Sequence, residues 1–366
     1  MEWLRGDVIG HGSFGSVNLA KASKVSSEFP SLMAVKSCAD CPPSSVTLKN
    51  EKEALDQIGI CPQIVRCFGD DYSFEKGERF YNLLLEYASR GSLADRVKKQ
   101  NNGRLQESDV KRYTRSMLKG LRHIHSKGFV HCDIKLQNVL VFDNDEAKIA
   151  DFGLAKKSSC DGERSQSFEC RGTPLYMSPE SVNENEYEAP CDIWALGCAV
   201  VEMASGKPAW NHKQDSNVFS LLIRIGVGDE LPNIPGDLSE QGKDFLIKCF
   251  LKDPKRRWTA EMLLNHPFVC ADDQTGDDGG IHIHSSSSPS LKGIKDEKFS
   301  QSPRSPFGFP EWVSVQSSSS VTSSINSPSF DSFLSSRDCL LDRIRVLAGD
   351  DERPNWSDSE CWVTVR

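Results

Sequence analysis

Two rhythms of apolar residues run along roughly the first 268 positions. In 3–21, apolar and β-branched residues alternate on both sides of a glycine-rich turn, which predicts strand, turn, strand. The stretch LMAVKS at 32–37 predicts another strand, and the nearly continuous apolar run FYNLLLEYA at 80–88 predicts a buried one. Elsewhere the spacing is helical. Leu48, Leu55 and Ile58 make one stripe in a helix over 44–58, and Val110, Tyr113, Met117, Leu121 and Ile124 make another over 106–126. Ile193, Leu196, Val200 and Met203 mark a buried helix that begins near Asp192. Short strands at NVLV and AKIA predict a hairpin around 138–150. The pattern is that of an α+β chain, strand-rich first and helical afterwards.

After Phe268 the periodicity stops. From Asp272 the chain turns to Asp, Gly, Ser and Pro, with serine runs at 285–288 and 317–320. Such a segment cannot bury enough surface to offset its ordering entropy, so 269–366 is expected to be a largely disordered tail. Within it, Leu340, Leu341, Ile344 and Leu347 share one helical face, consistent with a docking helix or with a transient local one.

Composition narrows the class. The chain has 366 residues, 38% of them apolar, enough for one large domain or two. Its net charge of −8 comes without a basic patch, which argues against nucleic acid as a partner. No apolar run has the length of a membrane span, and the opening MEWLRGDVIG carries charges where a signal peptide needs an apolar core. Thirteen irregularly spaced cysteines fit reduced thiols. A soluble protein of the cytoplasm and/or nucleus is the expectation. Cys38 and Cys41 form a CxxC with no second pair or His cluster, and His123 and His125 have no acidic or thiol partner at ligand spacing. Packing or surface roles are favoured for all four over a metal site.

The candidate chemistry is concentrated in 129–153, FVHCDIKLQNVLVFDNDEAKIADFG. Asp133 can accept a hydroxyl proton, Lys135 can neutralise a phosphoryl oxygen, and Asn138 can offer an amide oxygen to Mg²⁺. Across the hairpin, Asp151 adds a carboxylate for the metal. Upstream, the turn Gly10-x-Gly12-x-x-Gly15-x-Val17 lets backbone amides approach phosphate oxygens. A dinucleotide-binding turn of the same spelling opens a helix, whereas here a strand follows. Lys36 sits in an apolar strand, where its charge is costly unless paired. Glu51, three residues after Leu48 and four before Leu55, shares the inward face of the 44–58 helix and is the expected partner; Glu53 points nearly the opposite way.

These motifs resemble the protein kinases over about residues 3–268. The resemblance implies a bilobal kinase fold, with an N-lobe at about 3–86 and a C-lobe at about 89–268. It implies ATP and Mg²⁺, with Ile9, Gly10, His11, Gly12, Ser13, Phe14, Gly15, Ser16, Val17 and Lys36 around the nucleotide. It puts Leu85 at the gatekeeper position and backbone groups of Glu86 and Ala88 against adenine. It implies Asp133, Lys36, Lys135 and Glu51 as catalytic residues and Asn138 and Asp151 as metal ligands. Thr173 matches the threonine that contacts the catalytic Asp and Lys in Ser/Thr kinases. Glu180 of Ser178-Pro179-Glu180 matches a buried ion-pair partner for Arg257, and this pair and the helix from Asp192 are expected to serve stability rather than chemistry.

EYASRGSL, GTPLYMSPE and DIWALGCAVVEM look most like MAP kinase kinase kinases of the plant MEKK type, which implies MAP kinase kinases as substrates. One departure is Cys132, where most kinases carry the Arg of H-R-D. An Arg-clamped phosphate on the activation loop, at Ser158, Ser159, Ser165 or Ser167, therefore does not carry over to this chain. The alternatives are a kinase acting outside that cascade and a pseudokinase scaffold, and the second would have lost Lys36, Asp133 or Asp151. In the tail, Phe307-Gly308-Phe309-Pro310 follows Ser305-Pro306 and resembles a docking motif for a downstream MAP kinase.

Overall fold

The computed structural model describes residues 2–12, 15–23, 30–42, 44–75, 77–158, 171–211 and 217–270. Ser13 and Phe14 of the glycine turn lie outside this set. So do Ser159, Ser165, Ser167 and everything expected of the tail beyond Cys270. Strands β1 (Trp3–Gly12), β2 (Gly15–Ala22) and β3 (Leu32–Ala39) are followed by helix α1 (Ser44–Ile58), β4 (Cys67–Glu75) and β5 (Glu78–Glu86). Together they form an antiparallel sheet in the order β1-β2-β3-β5-β4. The bounds of α1 coincide with those expected from its stripe.

Alternation along β3 assigns the two faces of the sheet. Ala34 and Cys38 point to the side where Leu48, Leu55 and Ile58 of α1 are buried. Met33 and Val35 pack on the opposite face with Ala20, Ala22 and Leu84. On that outer face lies a network that apolar patterning does not reveal. Arg5 of β1 crosses the sheet and donates to Ser37 Oγ at 2.8 Å, Asn82 Oδ1 at 2.8 Å and the Glu75 carboxylate at 2.8–3.1 Å. Ser37 and Asn82 are buried, and these bonds satisfy groups that would otherwise be costly there.

The second lobe begins with α2 (Leu93–Lys98), opened by a reciprocal Ser92–Asp95 capping box, and α3 (Glu107–Ser126). All five residues of the expected α3 stripe are buried. Strands β6 (Phe129–Val130), β7 (Val139–Val141), β8 (Ala147–Ile149) and β9 (Lys156–Lys157) follow. β7 pairs with β8 as the expected hairpin, and β6 pairs with β9. Then come α4 (Pro179–Glu184), α5 (Ala189–Ser205), α6 (Val218–Gly226), α7 (Glu240–Cys249) and α8 (Ala260–Leu264). Helix α5 is apolar on almost every side and sits at the centre of this lobe, packed on α3 and α7. One apolar cluster runs from Ala34 and Leu83 through Phe152 and Leu121 to Leu196 and Phe245, so the lobes share a core.

The expected ion pair is present. Arg257 Nη1 and Nη2 donate to the two Glu180 oxygens at 2.5 and 3.0 Å, and its other bonds go to the carbonyls of Leu251, Pro190 and Lys252. Both side chains are buried. Removing one partner strands the other charge away from water. Arg257→Ala is expected to lower unfolding stability by about 3–5 kcal/mol in chemical denaturation; a loss within the range of ordinary surface substitutions would show that Glu180 is otherwise solvated.

Candidate active site

The cleft between the lobes is built on three charges. Lys36 Nζ of β3 lies 2.6 Å from Glu51 Oε2 of α1 and 2.8 Å from Asp151 Oδ1. Burial alone drives the ammonium's pKa down, but Asp151 and then Glu51 more than reverse this, and the net shift is upward. Glu51 is raised above the usual carboxylate range, first by burial, although Lys36 opposes it; Asp151 adds to the rise by like charge. Asp151 is also penalised by burial, yet Lys36 carries it down to about 2. Its side chain is a third exposed, so this carboxylate faces the open cleft as an anion.

Helix α1 also holds the segment that follows Asp151. Glu51 Oε1 accepts from the Phe152 N–H at 3.2 Å. Asn50 Nδ2 donates to the carbonyls of Gly153 at 2.8 Å and Ala155 at 3.2 Å. Asp151 takes a φ of 66°, a conformation disfavoured for a side-chain-bearing residue, and these bonds anchor the chain directly after it.

Below the cleft, Asp133 is the centre of a second cluster. Its Oδ1 accepts from Thr173 Oγ1 at 2.7 Å, and its Oδ2 lies 2.8 Å from Lys135 Nζ and 3.0 Å from Asn138 Nδ2. Lys135 also donates to Thr173 Oγ1 at 2.9 Å, and Asn138 Nδ2 to the Asp133 carbonyl at 2.9 Å. With its amide nitrogen so engaged, Asn138 Oδ1 has no hydrogen bond among the described residues. A hard-cation ligand needs such a free oxygen, and the Asp151 carboxylate supplies another. Two protein oxygens suit Mg²⁺, which keeps several waters and takes phosphate oxygens for the rest.

The nucleotide positions fit as well. A Cβ on Gly10 would meet only Val17 Cβ, at 3.9 Å, among the described residues. Gly15 is different, since a Cβ there would lie 2.0 Å from the Ser37 carbonyl oxygen, and the residue is required by close strand packing. Gly10 and Gly12 pair with Val17 and Gly15, His11 pairs with Ser16, and Ile9 and Val17 are half-buried against the shared core. At the end of β5, the Glu86 N–H donates to the Arg66 carbonyl at 2.9 Å, and its side chain meets Lys148 Nζ of β8 at 2.6 Å. The Ala88 carbonyl accepts from Gly91 at 3.3 Å, and no backbone bond of the Ala88 N–H occurs among the described residues. Gly91 and Arg90 bond in turn to Val141, and half-buried Leu140 bridges to Ser92.

The sequence reading of α5 needs one correction. Asp192 was expected to open a helix that serves stability alone, yet its carboxylate reaches the catalytic loop. Its Oδ2 accepts from the His131 N–H at 2.9 Å, and its Oδ1 from the Cys132 N–H at 2.9 Å. His125 Nε2 is 2.9 Å from Oδ2, so this histidine is an ordering partner. His131 Nδ1 accepts from the Asp133 N–H at 3.2 Å, which puts its proton on Nε2 for the Ala150 carbonyl at 3.1 Å. Cys132 carries a φ of 66°. A Cβ on Gly172 would lie 2.5 Å from the Cys132 carbonyl oxygen, so the loop can pass only over a glycine.

Two carboxylates, two lysines and an amide are thus set to place a polyphosphate above a hydroxyl acceptor. That combination defines a phosphotransferase of the protein kinase class, and residues 3–269 match the protein kinase domain family. More particularly, the chain is 52% identical to mitogen-activated protein kinase kinase kinase 20 of Arabidopsis thaliana over 370 residues, covering 100% of both chains. It is 42% identical to kinase kinase kinases 17 and 18 of the same plant, over 74% of this chain and 70% and 78% of theirs. The chain therefore belongs to the protein kinase family, in its plant MEKK-like group.

The electrostatics give a pH test. Lys36→Met removes the cation that opposes burial at Glu51, so the pKa of that carboxyl should rise further. A group raised on folding contributes stability that is present at low pH and lost as pH rises through its folded value. The melting temperature of Lys36→Met should therefore fall more steeply than that of the wild type as pH rises above the ordinary carboxylate range. A pH-independent gap between the two proteins would show that Glu51 titrates as an exposed carboxylate.

Proposed function

We propose that this protein transfers the γ-phosphoryl group of ATP to a serine or threonine of a MAP kinase kinase. The observation that carries the reading is the Asp133 carboxylate held between Thr173, Lys135 and Asn138 and facing the Lys36–Asp151 pair. The Asp133 carboxylate receives the acceptor hydroxyl and takes up its proton as the new bond to phosphorus forms. Lys135, shared between Asp133 and Thr173, neutralises the phosphoryl oxygens, and Lys36, held by Glu51, orients the α and β phosphates. Asn138 and Asp151 would hold Mg²⁺, which would supply charge neutralisation at the transferred group. The glycine turn covers the phosphates with backbone amides, and the Ala88 N–H orients the base. Catalysis by such groups is positioning and charge complementarity rather than covalent chemistry. The choice of acceptor is supported by the likeness to the kinase kinase kinases over the full chain.

Purified full-length protein with Mg·ATP should phosphorylate one or more members of a panel of catalytically dead MAP kinase kinases. Lys36→Met and Asp133→Asn should each lower turnover by roughly three orders of magnitude or more. Near wild-type turnover by either folded variant would overturn the mechanism. Phosphorylation of casein with none of the panel modified would move the acceptor outside the cascade.

For the tail, we propose that Phe307 and Phe309 dock a downstream MAP kinase and raise the effective concentration of Ser302 and Ser305 at its active site. An active MAP kinase should phosphorylate the full chain at these serines, and Phe307→Ala with Phe309→Ala should slow that step without changing this protein's own activity. Equal labelling of both forms would dismiss the motif.

A further inference from the structure

The substitution that sets this loop apart, Cys132, lies against a second cysteine. Its side chain packs against the cluster that holds Cys191, with its S–H donated to the Val130 carbonyl at 3.6 Å. Both pack in one small apolar pocket with Val130 and Tyr187 and line the same cleft beside Asp133 and Thr173. The backbone keeps them in register, because the Cys132 N–H is held at 2.9 Å by Asp192, the neighbour of Cys191 in the first turn of α5. Cys132 is half-buried and Cys191 buried, so a small reagent entering the cleft meets Cys132 first. Contact of its S–H with the Cys132 sulfur, and then burial, raise the Cys191 thiol well above its ordinary pKa, which leaves Cys132 as the thiol a peroxide oxidises first.

We propose that Cys132 and Cys191 are a reversible oxidation site for hydroperoxides, closing to a disulfide that disables the catalytic loop. The Cys132 sulfur attacks a peroxide oxygen, so that an S–O bond forms, the O–O bond breaks and water, or an alcohol, leaves, giving a sulfenic acid. The Cys191 sulfur then attacks the Cys132 sulfur. The S–S bond forms, the S–O bond breaks, and the departing hydroxide leaves as water with the Cys191 proton. In total, two thiols lose two electrons and one hydrogen peroxide is reduced to two waters, or an organic hydroperoxide to its alcohol and one water. Closing the sulfurs to about 2 Å draws Cys132 toward α5. Asp133, the next residue, moves with it, and a displacement of about 1 Å at a reacting group costs on the order of a hundredfold in rate. Dithiol reductants reopen the bond.

The test treats full-length protein with hydrogen peroxide, alkylates it without reduction and maps the peptides by mass. The expected species joins the peptide containing Cys132 to the one containing Cys191. Phosphoryl transfer should fall about a hundredfold in step with it, and dithiothreitol should reverse both changes. Cys191→Ala should start near wild-type activity. Under peroxide it should lose that activity irreversibly, because the sulfenic acid at Cys132 has no partner and goes on to sulfinic acid. Wild-type protein in which both thiols remain alkylatable, or in which Cys132 reaches sulfinic acid without the 132–191 link, overturns the proposal. The mass map of the unaltered protein decides even if Cys191→Ala does not fold, and it does so independently of the acceptor proposed above.

Discussion

An ammonium cannot be kept out of water without a counter-charge, and much of the upper lobe is arranged to satisfy that requirement at Lys36. Strand β3 carries the lysine inward, α1 must then present Glu51, and the 151–155 segment must bring Asp151 within reach. Asn50 and the Phe152 N–H bind the helix to that segment at three further points. The orientation of α1 and the placement of the Asp151 carboxylate are consequently one variable. Turning the helix outward would release the Gly153 and Ala155 carbonyls and the Phe152 N–H, and would leave Lys36 with a single partner.

The lower lobe solves a different problem. The catalytic loop is polar and too short to carry a core of its own, so it borrows rigidity from α5, the most thoroughly buried helix in the lobe. Asp192 conveys it, and the Arg257–Glu180 pair fixes the segment after Thr173 against the same helix. Asp133 therefore inherits its position from groups about sixty residues further along the chain.

Much of this was legible in the residues themselves, and the gaps have a common cause. Glu51 could be chosen over Glu53 because it lies on the Leu48–Leu55–Ile58 stripe, and burial makes a stripe periodic. Asn50 is one position away, at the stripe's edge, and its partners lie more than a hundred residues off. Arg5 reads as one polar residue in an edge strand, yet it joins four strands of the sheet. Asp192 was visible as the opening of a helix, but not as an acceptor for the catalytic loop. Hydrophobic burial leaves a rhythm along the chain, whereas a hydrogen bond between distant groups leaves a single polar letter with no partner in view.

Asp192 also shows how strictly such a letter can be specified. Its two oxygens take three N–H groups, two on one oxygen and one on the other, so every contact it makes is as an acceptor. Asparagine has nearly the same outline, but whichever way its amide is turned, an NH₂ faces at least one of those donors. Glutamate has the right acceptors on a longer arm, and the site, 1% exposed, leaves that extra methylene no solvent to swing into. At this position the fold distinguishes side chains by the direction in which protons are shared, a property to which volume and hydropathy are blind.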